Sequence, residues 1–197
     1  MTGIGACGEM AMSTSTFLNN MGLNSQIVAL PGEDHAFVEV NLNGTWFVLD
    51  PGYYQSQILT REQRATYRIA EPTIGVISYV VGEVNSSFFE LTRYYVSTDS
   101  IILRITSRGE PITSAQVYLE HAFHGRTQRL PDGEHSFYSG VNGTITLHLG
   151  NTSYPTLAGN TDSFYRIYVN GIKTPYTVTS TGSNKTQFVE IDLAELG

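Results

Sequence analysis

Cys7 is the one cysteine in a chain of 197 residues, and its surroundings favour a reactive thiol. It stands where a loop becomes a predicted helix, with Gly8 and Glu9 directly after it. The thiolate is the nucleophilic form of cysteine, and a helix N-terminus beside an imidazolium lowers the pKa of a thiol. A lone cysteine is by frequency more often a buried structural residue. Its chemistry therefore depends on whether the fold brings a base to Cys7.

One predicted hairpin supplies a histidine and an aspartate for that role. The segments HAFVEV and WFVLD flank Asn43-Gly44, a dipeptide typical of a two-residue type I′ turn. A loop of two residues makes His35 and Asp50 diagonal neighbours on one face, roughly 7–8 Å apart at the backbone. We expect Asp50 to accept a hydrogen bond from His35, fixing its tautomer and stabilising the imidazolium.

The same hairpin divides its other side chains between two faces. The face with His35 and Asp50 also carries Phe37 and Trp46, which are candidates for the wall of a substrate cleft. For Trp46, a plain packed aromatic is an equal alternative. Glu9 is a third cleft candidate, although a carboxylate in the first helical turn also satisfies backbone N–H groups and the helix dipole. The opposite face is apolar throughout, and we expect it to pack on the core: Ala36, Val38, Val40, Leu42, Phe47 and Leu49.

Three blocks, GACGEMA, HAFVEV and WFVLDP, resemble the transglutaminase-like (papain-like cysteine) superfamily in their order and spacing. The resemblance covers residues 5 to 52. It implies that Cys7 is the nucleophile, His35 the base and Asp50 the orienting acid of an acyl transfer at amide bonds, with a protein or peptide substrate. Phe37 stands where this family often has Trp. Helices usually precede the cysteine and often supply a side chain to the oxyanion hole, so we expect a truncated core here or an oxyanion hole of backbone N–H groups.

The rest of the chain is predicted to contain mainly strands and turns. A helix is predicted over residues 7–22, with only six residues before it. Its apolar side chains are Met10, Phe17, Leu18 and Met21, and Gly22 is predicted to end it. Two strands are predicted within residues 73–96. Residues 60–70 predict a short surface helix with no chemistry of its own.

The C-terminal half predicts about seven strands separated by Gly, Asn and Asp turns. RGEPITSAQVYL followed by VNGTITLHLG resembles the carboxypeptidase-regulatory or transthyretin-like β-sandwich of surface proteins. The fold class expected is α+β: a partial transglutaminase-like core over residues 1–96, in which the cysteine helix packs on an antiparallel sheet, and a C-terminal all-β, Ig-like sandwich over residues 97–197. We expect few contacts between them and a spacer or scaffold role for the sandwich.

Composition limits the partners. Eleven basic and eighteen acidic residues give a net charge of −7, which argues against nucleic acid and anionic membranes. No apolar run approaches the roughly 20 residues of a membrane span, and no signal peptide is visible in this chain. Abundant Ser, Thr and Tyr favour an extracellular or cell-surface location. We expect neither a cofactor nor a metal, since His121 and His124 would point to opposite faces of a strand.

Two functions follow from these observations. The first is thiol-dependent acyl transfer by Cys7, His35 and Asp50, as a protease or amidase when water resolves the thioester and as a crosslinking transglutaminase when an amine does. The alternative is a non-catalytic cell-surface or adhesion module with a vestigial site. The sequence leaves the substrate, the choice between water and amine, and the oligomeric state open.

Overall fold

A computed structural model describes residues 7–30, 35–50, 58–69, 79–85, 87–123, 126–131, 135–152 and 164–196. The fold is mostly β-sheet with few helices, which agrees in coarse terms with the α+β prediction. The helices are α1 (Cys7–Asn20) and α2 (Arg61–Ile69), with short 3₁₀ helices at Thr92–Tyr94 and Leu193–Glu195. The strands are β1 (Asn24–Leu30), β2 (His35–Leu42), β3 (Thr45–Leu49), β4 (Ile58–Thr60), β5 (Val81–Val84), β6 (Ser87–Glu90), β7 (Asp99–Ser107), β8 (Glu110–Pro111), β9 (Gln116–Phe123), β10 (Arg126–Leu130), β11 (Phe137–Tyr138), β12 (Thr144–Leu149), β13 (Tyr165–Val169), β14 (Ile172–Val178) and β15 (Thr186–Asp192).

The first six strands form one antiparallel sheet in the order β4-β3-β2-β1-β5-β6. The hairpin of β2 and β3 has the predicted register, with Leu42 opposite Thr45 and with φ of +53° at Asn43 and +87° at Gly44. Positive φ at both central residues is what a type I′ turn requires, so the predicted turn is confirmed.

Helix α1 ends in a Schellman motif; since residues 1–6 lie outside the described residues, its predicted start at Cys7 stays a prediction. Gly22 has a φ of +80°, and the Leu23 N–H donates to the Leu18 carbonyl at 3.0 Å. The N–H of Gly22 donates to the carbonyl of Asn19, also at 3.0 Å. Glycine adopts this left-handed conformation without a Cβ penalty, which explains why the helix stops there.

The face by which α1 packs differs from the predicted apolar stripe. Phe17 and Met21 are 63% and 62% exposed, whereas Ala11 and Ser15 are buried. The reason is a polar contact: the Ser15 and Ser25 hydroxyls lie 3.0 Å apart, and Ser25 Oγ donates to the Ser15 carbonyl. Small side chains and this hydrogen-bonded pair let the helix lie close to β1 and β2.

Both faces of the first sheet are covered. Val38 and Val40 of the predicted apolar face are buried, and Phe37, Glu39 and Val48 on the other face are buried as well. Helix α2 is partly a surface helix: Glu62 and Gln63 are exposed, whereas Arg64 and Ala65 on its other side are buried. The core on this side consists of Val28, Leu30, Phe37, Val48, Ala65, Val80, Leu91 and Tyr95.

The segment before residue 97 departs from the predicted strands. Of the first predicted strand, residues 73–78 lie outside the described residues, while β5 begins at Val81. The second ends at Glu90, after which the chain turns into a 3₁₀ helix. Thr92 is fully buried there, and its hydroxyl accepts the N–H of Val80 at 3.0 Å. This bond fastens the segment to the residue preceding β5.

The C-terminal strands form two sheets that enclose the larger core. One sheet has the order β10-β9-β13-β14, with β11 also paired to β9; the other has the order β12-β7-β15, with β8 paired to β7. Their pairings are antiparallel except for the parallel pair of β7 and β15. Tyr79 and Val81 of the N-terminal half also belong to this core. Side chains of the N-terminal half therefore pack into this core. The expectation of few contacts between the two halves stays a prediction.

Candidate active site

The hairpin brings His35 and Asp50 together. His35 Nε2 lies 3.0 Å from Oδ1 and 2.9 Å from Oδ2 of Asp50, and the two side chains are 9% and 7% exposed. His35 is the first residue of β2 and Asp50 directly follows β3, so they lie at the same end of the hairpin. The predicted hydrogen bond between them is confirmed.

Asp50 has a second partner that the sequence did not reveal. Arg64 donates to Oδ2 of Asp50 from Nη2 at 2.8 Å and from Nε at 3.2 Å. Burial by itself raises the pKa of Asp50, but the hydrogen bond and charge of His35, followed by those of Arg64, lower that pKa below its ordinary value. Asp50 is thus ionised at neutral pH and can stabilise an imidazolium at His35.

Helix α2 positions Arg64 over the sheet. Its start is fixed by a capping box, in which the Gln63 N–H donates to Thr60 Oγ1 and the Thr60 N–H donates to Gln63 Oε1. From the second turn, the Arg64 guanidinium reaches Asp50 and lies 5.1 Å from the centre of the Phe37 ring. Only 4% of its side chain is exposed.

Arg61, one turn earlier on α2, makes a parallel contact with Glu39 of β2. Arg61 donates from Nε to Oε1 at 2.6 Å and from Nη2 to Oε2 at 2.7 Å. Gln26 and Tyr95 also donate to this fully buried carboxylate. Burial lowers the pKa of Arg61, but the bond and charge of Glu39 outweigh it and raise that pKa. The two arginines fasten α2 to adjacent strands.

A sequence signal for this second pair existed. Glu39 stands between Val38 and Val40 in a strand, on the predicted face of His35, and a buried carboxylate requires a partner. Arg61 and Arg64 are spaced i,i+3 and so share a side of the helix. That spacing matches two carboxylates on neighbouring strands, but nothing in the sequence fixed where the helix would pack.

The three residues predicted to line a substrate cleft differ in their burial and contacts. Phe37 does not line a cleft: it is fully buried, with its ring centre 6.1 Å from that of His35 and 6.0 Å from that of Tyr95. It packs beneath the site because both neighbouring rings and Arg64 cover it. Trp46 is half-buried and has the Arg61 guanidinium 5.6 Å from its ring centre. Glu9 is exposed in the first turn of α1. The cleft roles of Trp46 and Glu9 remain predictions.

Cys7 is the first described residue of α1 and is half-buried, which agrees with the partial exposure expected of a nucleophile. The contacts above join His35 to Asp50, whereas the approach of Cys7 to His35 remains a prediction. Among the residues that the structure describes, no three or more His, Cys, Asp or Glu side chains are placed to hold a metal ion. The described helices are too short or too polar to cross a membrane.

Comparisons with protein-family profiles, with curated proteins and with solved structures give no match to this chain.

Proposed function

We propose that this protein carries out thiol-dependent acyl transfer at amide bonds of a protein or peptide, with Cys7 as nucleophile. The observation that supports it most is the His35–Asp50 pair, held at 2.9–3.0 Å with an ionised carboxylate. A base oriented by a third group is the recurring arrangement that activates a Cys or Ser nucleophile.

Helix and strand lengths put Cys7 at the same end of the first sheet as His35. Because α1 packs on the face of Ser25 and Val40 and His35 belongs to the other face, the two side chains would have to meet around the end of the sheet. The tight turn at residues 21–23 makes α1 and β1 run in opposite directions. The 14 residues of α1 span about 20 Å at 1.5 Å each, and the seven residues of β1 span about the same length. Cys7 should therefore lie level with Leu30, which pairs with His35.

The chemistry follows from the ring nitrogen that Asp50 binds. Because Asp50 accepts from Nε2 of His35, the thiol proton of Cys7 passes to Nδ1, leaving a thiolate beside an imidazolium. The thiolate attacks the substrate carbonyl, the C–N bond breaks, and the imidazolium returns the proton to the leaving amine. The resulting thioester is then resolved by water or by a second amine, which regenerates the thiol.

Alkylation of the single cysteine tests the proposal directly. An unactivated thiol has a pKa of about 8.5, so its rate falls roughly tenfold per pH unit below that value. We expect the iodoacetamide rate, followed by mass spectrometry, to stay nearly constant from pH 8 to pH 6. The His35→Ala variant should react about 100-fold more slowly at pH 6. His148→Ala is the matched control, because His148 lies on β12 beside Ser100. Equal, steeply pH-dependent rates in all three proteins would rule the proposal out.

A non-catalytic cell-surface module is the second candidate. The observation that favours it is the buried Arg64–Asp50 ion pair, which can fasten α2 to the sheet whether or not any reaction occurs. In that case, an intact Arg64–Asp50 pair would coexist with an ordinary thiol at Cys7, and the alkylation series distinguishes the two functions.

A further inference from the structure

A cavity of about 460 Å³ lies between strand β6 of the first sheet and strands β11 and β12 of the sandwich. In the sheet order, β6 is three strands away from β2, so this cavity is separate from the His35–Asp50 pair. Its volume is in the range typical of sites for small organic ligands.

Aromatic rings form much of the cavity wall. Tyr79 and Phe137 meet edge to face with ring centres 5.9 Å apart, which holds both rings in place. The rings of Phe88 and His135 are in contact, with their centres 3.7 Å apart. Tyr138 is 63% exposed, so its ring remains in water at the cavity mouth. The lining also includes the buried aliphatic side chains of Val81, Ile145 and Leu147.

One carboxylate, that of Glu90, lines the same cavity. Glu90 lies on the same side of β6 as Phe88, because side chains alternate along a strand. Its charged partner is Arg93, at 3.5 Å and itself 58% exposed, which makes a weak surface pair. Tyr79 lines the same cavity, and burial first and then the charge of Glu90 raise its pKa. No lysine or arginine is among the described residues that line it.

We infer that this cavity binds an organic cation, an ammonium group on an apolar body. The faces of aromatic rings carry partial negative charge and attract such a cation, most strongly where water is excluded. Glu90 adds a full negative charge at the same place. The net charge of −7 also raises the local concentration of cations around the protein. A neutral ligand would use the rings but gain nothing from Glu90. The cation can be a free amine or a lysine side chain of a peptide.

A pair of isosteric probes tests the charge requirement. Choline and 3,3-dimethylbutan-1-ol have the same shape and differ in the positive charge. We expect choline to bind at least about tenfold more tightly in calorimetric or NMR titrations of the intact chain. A lysine-containing peptide in a parallel titration separates the two sources: tighter binding than choline indicates a peptide side chain, and weaker binding indicates a free amine. Equal affinity for choline and its neutral isostere, or no saturable binding of either cation, would overturn the inference.

Two variants locate the site, each with a control of the same type. Glu90→Gln and Tyr138→Ala should each weaken choline binding roughly five- to tenfold. Glu190→Gln, in an exposed pair with Arg104, and Phe188→Ala, a 56% exposed ring on β15, should leave it unchanged. Tyr138 is mostly exposed, so its truncation tests the site even if Glu90→Gln lowers stability. Unchanged binding in Tyr138→Ala would place the cation elsewhere and contradict the assignment.

Discussion

Asp50 and Asp99, two of the aspartates that the structure describes, are nearly buried, but partners of different kinds bind them. Asp50, beside the first sheet, is held by the side chains of His35 and Arg64, which come from two other elements. Asp99, at the start of β7, is held mainly by one loop, whose backbone N–H groups each donate at 2.8 Å. Those donors are the amides of Thr181, Ser183 and Lys185.

The two aspartates differ in whether the groups that bind them can exchange a proton. Burial raises the pKa of both carboxyls, yet hydrogen bonds outweigh it in each, and the backbone donors lower the pKa of Asp99 to about 2. Backbone amides do not titrate and move only when the loop opens. An imidazole partner can gain and lose a proton while its carboxylate stays in place. Under the proposed function, the site of Asp50 is therefore the one that would take part in proton transfer.

The largest effect is expected from Asp50→Asn. It leaves the Arg64 guanidinium buried without a countercharge, and breaking a buried pair in this way costs about 3–5 kcal/mol of unfolding free energy. Urea unfolding measures the loss. The double variant Asp50→Asn/Arg64→Met removes both charges and should recover at least half of it. A single variant as stable as the wild type would contradict a buried pair.

The sequence predicted the part of this site that depends on local turn chemistry. Asn43-Gly44 sets the hairpin register, and the register alone brings His35 to Asp50. Gly22 likewise marks the end of α1. These features depend on a few neighbouring residues, so the local pattern contains the information needed to infer them.

The parts that the sequence did not predict depend on packing between distant elements. The apolar residues Phe17 and Met21 suggested the wrong buried face of α1, because a hydrogen bond between Ser15 and Ser25 fixes the helix instead. Arg64 was overlooked because its helix reads as polar and exposed. Its burial follows only from where α2 lies on the sheet, which no local pattern specifies.

We expect the stability that Asp99 contributes to be lost at acidic pH. The pKa of Asp99 is about 2 in the folded protein and close to 3.8 when unfolded. A lowered pKa contributes stability that is fully present above the unfolded value and is lost as pH falls through the folded value. The contribution is about 2.5 kcal/mol, lost between roughly pH 5 and pH 2. Unfolding free energies measured across this range should fall less steeply in Asp99→Asn. Parallel curves for the two proteins would show that Asp99 is not the group responsible.

We expect a single added methyl group at Gly182, in the loop around Asp99, to destabilise the protein. Gly182 has a φ of +64°, and a Cβ built there would lie 2.7 Å from the backbone oxygen of Ser97. Both the left-handed conformation and the contact with rigid backbone oppose Gly182→Ala, at a cost of about 2 kcal/mol. Thermal and urea unfolding give the value. Gly140→Ala is the control: a Cβ there would make only ordinary van der Waals contacts, and the φ of Gly140 lies outside the left-handed region, so stability should change little.

The smallest effect is expected at the turn that sets the Asp50 site. Gly44 also has a positive φ, +87°, but no atom lies within 4 Å of a Cβ built there. Gly44→Ala therefore meets conformational strain without a clash, at a cost of about 1 kcal/mol, roughly half that of Gly182→Ala. The register should survive, because Leu42 still pairs with Thr45 and the hairpin faces remain buried. The hydrogen bond between His35 and Asp50 should then persist. A slowly exchanging ring N–H of His35 in the NMR spectrum would report it. A loss greater than that of Gly182→Ala, or disappearance of that ring N–H signal, would mean that the turn contributes more than local geometry to the site.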